Sequence, residues 1–156
     1  MATLTMRQYN PNSGALLGNI SVVSYGKVTA GTKSSVIVLD VAFTDISNVG
    51  NLKIGLISAG GLTINSNPTD IAADGSSGNG YFGIETTTAF DSSKASGPLT
   101  RHFAGLNTTI TAADTNNVLV PTRSSSLSNY IYLDIQVDSS NTGAGSGAYK
   151  LFFDYN

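Results

Sequence analysis

Eight consecutive residues near the end of the chain, Tyr130 to Val137 (YIYLDIQV), place Ile131, Leu133, Ile135 and Val137 on one side and Tyr130, Tyr132, Asp134 and Gln136 on the other. A period of two is the pattern of a strand half-buried in an antiparallel sheet. A helix cannot use it, because at 3.6 residues per turn the four apolar side chains would scatter around the axis. Ser35 to Phe43 repeats the pattern, with Ile37, Leu39, Val41 and Phe43 against Val36, Val38, Asp40 and Ala42. Leu52, Ile54 and Leu56 alternate with Lys53, Gly55 and Ile57, and Tyr81 to Thr88 and Tyr149 to Tyr155 also read as strands. Composition agrees: Ser, Thr, Asn and Gly fill more than two fifths of the chain, and nine of the ten acids are Asp, so strong helix formers are scarce.

The 156 residues suit one domain. Residues 1–15 show no periodic apolar face and end in the turn composition Asn10-Pro11-Asn12-Ser13-Gly14, which predicts an extended N-terminal arm before a single domain at 16–156. Further strand candidates are Gly18 to Val23, Leu62 to Ile64, Leu99 to Phe103 and Val118 to Val120, with a turn at Gly60-Gly61 and a helical turn at Thr111 to Asn117. Residues 65–80 and the Ser-rich stretch from Phe90 to Pro98 read as loops, and Asp138 to Gly147 as a flexible link closing a hairpin between the last two strands. About eight short strands separated by turn residues predict an all-β, antiparallel two-sheet β-sandwich.

The residue inventory narrows the chemistry. The chain has no Cys, so disulfides and thiolate metal sites are excluded. Eight Lys and Arg against ten acids, with no basic run, favour neither nucleic acid nor a membrane surface as partner. No stretch reaches the roughly 18 to 20 apolar residues of a membrane helix. MATLTMRQYNPNSGALLGNI lacks the basic and apolar blocks of a secretory signal, which predicts synthesis in a cytoplasm and leaves Asn19-Ile20-Ser21 and Asn107-Thr108-Thr109 as chance glycosylation matches.

His102 is the lone histidine and no Gly-x-Ser-x-Gly elbow accompanies it, so nucleophilic catalysis lacks its usual parts. Glu85 with Asp40 or Asp134 could supply the two carboxyl groups of a glycosidase, but both Asp residues alternate with apolar rows and read as solvent-facing. Two Asp-rich loops fail the EF-hand test: starting at Asp70, Ala72 falls at position 3 and Tyr81 at position 12, and starting at Asp138, Tyr149 falls at position 12. Gly143-Ala144-Gly145-Ser146-Gly147 lies between two strands rather than opening a helix, so it is no phosphate loop. These readings predict a protein without catalytic residues, cofactor or metal. The surface feature left is the row Tyr130, Tyr132, Asp134 and Gln136, extended by Phe152 if the last strand lies alongside. Such a row suits a protein contact or stacking on sugar rings, unless an arm or loop covers it.

Tyr25-Gly26-Lys27-Val28-Thr29-Ala30-Gly31-Thr32-Lys33-Ser34-Ser35, leading into the strand to Phe43, resembles the first strands of immunoglobulin-like sandwiches. With Leu52 to Leu56, the closing Tyr130 to Tyr155 hairpin and a Cys-free, Ser/Thr/Asn/Gly-rich composition, the chain looks like the small structural proteins of tailed-bacteriophage virions, of the capsid-decoration or fibre-associated type. Cohesin-like and other adhesion sandwiches share the opening, and a jelly-roll order fits the same strands. The resemblance implies a non-enzymatic virion protein that binds other copies of itself or a shell protein, with no nucleic acid or membrane partner. A carbohydrate-binding or adhesion module using the Tyr row is the alternative, with a glycan as ligand.

Overall fold

A computed structural model describes residues 3–44, 49–64, 79–96, 99, 101–103, 105–106, 122–124, 126–139, 143 and 145–155. It is an all-β, two-sheet sandwich, as the alternation predicts. The larger sheet holds β1 (Thr3–Tyr9), β2 (Leu16–Ile20), β3 (Ile37–Thr44), β5 (Gly80–Thr87), β6 (Thr122–Ser124), β7 (Leu127–Ser128) and β8 (Tyr130–Val137). The smaller pairs β4 (Val49–Ser58) with β9 (Ala148–Tyr155).

Strand β3 is the axis of the large sheet. One edge pairs with all of β1, from Thr3 opposite Thr44 to Tyr9 opposite Val38, and β2 continues beyond β1. The other edge meets Ile131 to Leu133 of β8 and, after the break at Asn129, Leu127 of β7. At that break the Ser128 hydroxyl accepts the Val41 N–H at 2.8 Å, so the ladder loses no partner for that buried donor. All eight residues of β5 pair with β8, and residues 101–103 then cap the free edge of β5: Ile84 N–H donates to Arg101 O at 2.9 Å and Phe103 N–H to Phe82 O at 3.0 Å.

The core lies between the sheets and is built from the rows the sequence displays. Ile37, Leu39, Val41 and Phe43 of β3, Leu52, Ile54 and Leu56 of β4, Phe82 and Ile84 of β5, and Ile131 and Leu133 of β8 form one buried cluster, with Phe103 beside them. Tyr149, Leu151 and Phe153 line it from β9, as the alternation of the last strand predicts.

Three expectations are corrected. Residues 3–9 form a strand rather than an arm: Leu4 and Met6 reach the core cluster and the ladder to β3 is continuous. Asn10 to Gly14 is the turn of the β1–β2 hairpin, where Asn10 Oδ1 accepts the N–H groups of Asn12 and Ser13 at 2.9 and 3.1 Å. Strands β8 and β9 form no hairpin. β8 is central, with β3 and β5 as its neighbours, and the link after it crosses to the second sheet, where β9 finds β4. Tight hairpin loops have about two to five residues, and this link is longer.

The link is also a close backbone crossing where it is described, not a free loop. A Cβ on Gly145 would overlap the Gly60 carbonyl oxygen and one on Gly147 that of Ser58, so these glycines let two main chains touch at the end of the β4–β9 pair. The helical turn at Thr111 to Asn117, the strand at Val118 to Val120, and most of the loop at 65–80 lie outside the described residues, as does Asn107-Thr108-Thr109.

Candidate functional site

The side of the large sheet turned away from the core carries Arg7 and Tyr9 of β1, Val36, Val38 and Asp40 along β3, Tyr130, Tyr132 and Asp134 of β8, and Tyr81 and Glu85 of β5. Asp40 has no exposed surface, and a buried carboxylate survives only if paired and hydrogen-bonded. It is both. The β1–β3 register sets Arg7 opposite Asp40, and the guanidinium grips the carboxylate with two bonds, Nε to Oδ1 at 2.8 Å and Nη2 to Oδ2 at 2.6 Å. Tyr9 donates its hydroxyl to Oδ2 at 2.8 Å, and Arg123 Nη2 reaches the same oxygen from β6. The bond to Asp40 raises the Arg7 pKa, while burial and then the same carboxylate raise that of Tyr9. Arg123 also donates Nε to the Ser128 carbonyl at 2.8 Å and lies 4.0 Å above the Tyr130 ring. Tyr130 meets Tyr9 and Phe90 edge-on, at 5.2 and 5.8 Å between centroids.

A strap covers the rest of this face: residues 88–96, Leu99, Arg101 and His102, after which Phe103 belongs to the core cluster. Its 3₁₀ turn, Ser92–Ala95, is capped by Asp91, whose carboxylate accepts the Ser93 N–H at 3.0 Å and the Ser93 hydroxyl at 2.6 Å; that hydroxyl bond leads in lowering the Asp91 pKa. Polar links hold the strap down. The Tyr132 hydroxyl accepts the Asp91 N–H at 2.8 Å, Lys94 pairs with Glu85 at 2.5 Å, Lys33 donates to the Ser96 carbonyl at 3.2 Å, and Tyr81 donates to the Leu99 carbonyl at 3.2 Å. Phe90 and Leu99 are its apolar anchors, packing with Tyr9, Val36, Val38 and Tyr132.

The expected exposed row is therefore corrected. Tyr132 and Asp134 are both fully buried, Tyr130 and Gln136 are half-buried, and Phe152 stands on the other sheet beside Lys150, whose ammonium is 5.1 Å from its ring. The strands bring Tyr130, Tyr132, Asp134 and Gln136 together as expected but do not add Phe152. Asp40 and Asp134 are likewise buried rather than solvent-facing. The signal for the strap was the pair Phe90 and Leu99, apolar residues that bracket a Ser-rich run with no strand pattern.

Glu85 and Asp134 share the covered face as diagonal neighbours across the β5–β8 register, whereas Glu85 and Asp40 stand at different places on it. His102 is half-buried, bridges Gly83, and sets its ring 5.2 Å from that of Tyr81; its Nδ1 is buried without a partner. Among the described residues no three His, Cys, Asp or Glu side chains gather as a metal site. The Asp70 loop lies largely outside the described residues, and Asp138 is buried, its N–H bonded to the Asn79 carbonyl at 3.0 Å.

Exposed apolar surface concentrates elsewhere. Leu16 and Leu17 on β2 are 53% and 60% exposed and Val22 just beyond is 73% exposed. Among the described residues β2 pairs with β1 alone, so its outer edge presents unpaired backbone groups. The stretch from Leu16 to Ser24 carries no charge and no proline, the usual guards of an exposed edge. Sequence reading missed this surface, yet Leu16-Leu17 held the signal: adjacent residues of a strand point to opposite faces, so at least one of two neighbouring leucines is left outside, and here both are. No helix among the described residues is long and apolar enough to cross a membrane.

No protein-family model, curated protein or solved structure matches the chain.

Proposed function

We propose that this chain is a non-enzymatic structural protein of a repeated assembly, of the kind that decorates or cements a virion, and that it contacts other copies of itself or a shell protein through β2. The observation that supports this is the unguarded edge at Leu16–Ile20 with Leu16, Leu17 and Val22 exposed beside it. An edge strand offers main-chain hydrogen bonds for strand addition, and apolar side chains next to it offer area to bury. Repetition of one such contact builds closed rings or shells. The virion setting comes from the resemblance of the opening strands, taken with Leu52 to Leu56 and the polar, low-charge composition, to phage structural sandwiches; the closing hairpin that the resemblance also included is not formed.

Asp40 and Glu85 are engaged by Arg7, Arg123 and Lys94, so neither stands as a poised catalytic acid. The carbohydrate alternative loses its platform, because Tyr132 has no exposed ring to stack on a sugar. Electron microscopy of the native source, with the chain located by a specific label, tests the reading. Regularly spaced label on a particle or filament is the expected image; label found only in the free protein fraction would overturn it.

A further inference from the structure

The strap closes over a buried carboxyl group, that of Asp134. Asp134 is fully buried, and neither carboxyl oxygen makes a hydrogen bond of good geometry. It lies over its cross-strand partner Gly83, in space that a Cβ on Gly83 would overlap, and Leu99 of the strap shuts that space with its Cβ 3.1 Å from the same point. The groups that bear on Asp134 come from each element around it. Lys33, from the segment before β3, and the N–H groups of Leu99 and Gly83 favour the carboxylate, while Glu85 of β5 opposes it. Tyr81 of β5 stands on the same face, and Tyr25 and Tyr149 lie on the core side, all three with pKa values raised by burial first and by Asp134 as a further cause. The strap contributes Lys94, engaged by Glu85, and His102, paired with Gly83 on its other side. Burial outweighs the rest and pushes the Asp134 carboxyl up to about 6.

We propose that the strap is a proton-operated latch, fastened when Asp134 is neutral and loosened when Asp134 is charged. Opening returns the carboxyl to water, where its ordinary pKa is about 3.9. The closed form is thus the better proton binder, so closure is strongest below that value and is lost as pH rises through about 6. Between about pH 7 and pH 5 the closing constant grows about tenfold by this linkage. The latch also reaches the β1–β2 turn. Phe90 lies so close to Gly14 that a Cβ there would stand 2.8 Å from its ring, and Gly14 sits two residues before Leu16. This inference does not require the assembly reading.

Hydrogen exchange on the intact chain tests it, with each rate corrected for the intrinsic pH dependence of exchange. The amide of Asp91, which donates to the Tyr132 hydroxyl, reports on the strap, and ladder amides of β3 and β8 serve as internal reference. Protection of the Asp91 amide should rise about tenfold from about pH 7 to pH 5 while the reference amides hold. In Asp134→Asn the strap should stay protected with no such slope, and in His102→Gln the wild-type slope should persist. A flat wild-type profile, an undiminished slope in Asp134→Asn, a slope lost in His102→Gln, or an equal change in the reference amides would each overturn the latch.

Discussion

Strand β8 turns its two sides to two differently built interiors. On one side Ile131 and Leu133 join an apolar cluster shared by β3, β4, β5 and β9. On the other Tyr132 and Asp134 are buried to the same degree, among ion pairs, tyrosine hydroxyls and a strap with only two apolar anchors. The first side is held by area removed from water and tolerates loss of one contact in proportion to the cavity left. The second is held by paired polar groups, where a missing partner strands a charge. Equal burial thus conceals unequal sensitivity, and substitutions on the two sides should separate them.

The largest effect is expected at the polar hub. Asp40→Ala leaves Arg7 and Arg123 facing each other around a vacated site and should cost about 3 to 5 kcal/mol in denaturant unfolding. Replacing all three charges with apolar residues of similar volume should recover much of that loss, which distinguishes a stranded charge from lost packing. On the apolar side Leu133→Ala should cost about 2 to 5 kcal/mol, with no dependence on pH. A pH-dependent loss there would break the contrast.

Asp134→Asn should act in the opposite direction. Because the folded pKa is raised to about 6, Asp134 favours the folded state below its unfolded pKa and this stabilisation is lost as pH rises through about 6. The variant should therefore exceed the wild type by up to about 3 kcal/mol near pH 8, and the difference should vanish near pH 4. Thermal unfolding at both pH values measures it. The smallest effect is expected for Tyr132→Phe, which removes the acceptor of the Asp91 N–H at the solvent-side end of the strap and should cost about 1 kcal/mol. Local exchange at Asp91 should change more than global stability does.

The same contrast decides what can be read from the residues alone. The rows Ile37 to Phe43, Leu52 to Leu56 and Ile131 to Leu133 announce their strands and the face each buries, because apolar burial is written locally, in every second residue. Burial by pairing is not local. Asp40 is covered because Arg7 and Arg123 arrive from 33 and 83 residues away, and nothing near Asp40 in the chain distinguishes it from a solvent-facing residue. For the same reason Tyr132 and Asp134 pass for surface until the strap is in place.

Strand β1 escaped notice because only Leu4 and Met6 mark its inner side, too short a row to set a period. The order of strands was equally beyond reach where chain neighbours part company, as β8 and β9 do. The contact surface at β2 was half visible: Leu16-Leu17 stand side by side, but their exposure depends on the register irregularity at Gln8 and Tyr9 and on β2 having no outer neighbour among the described residues.

Sedimentation velocity over a wide concentration range, with the wild type beside Leu17→Lys, bears most directly on the function assigned to that edge. The wild type should sediment faster as concentration rises, through reversible association, and Leu17→Lys should remain a monomer with unchanged thermal stability, because a charge on an exposed edge blocks pairing without touching the core. A wild type that stays monomeric throughout, or a Leu17→Lys variant that associates as the wild type does, would contradict assembly through β2.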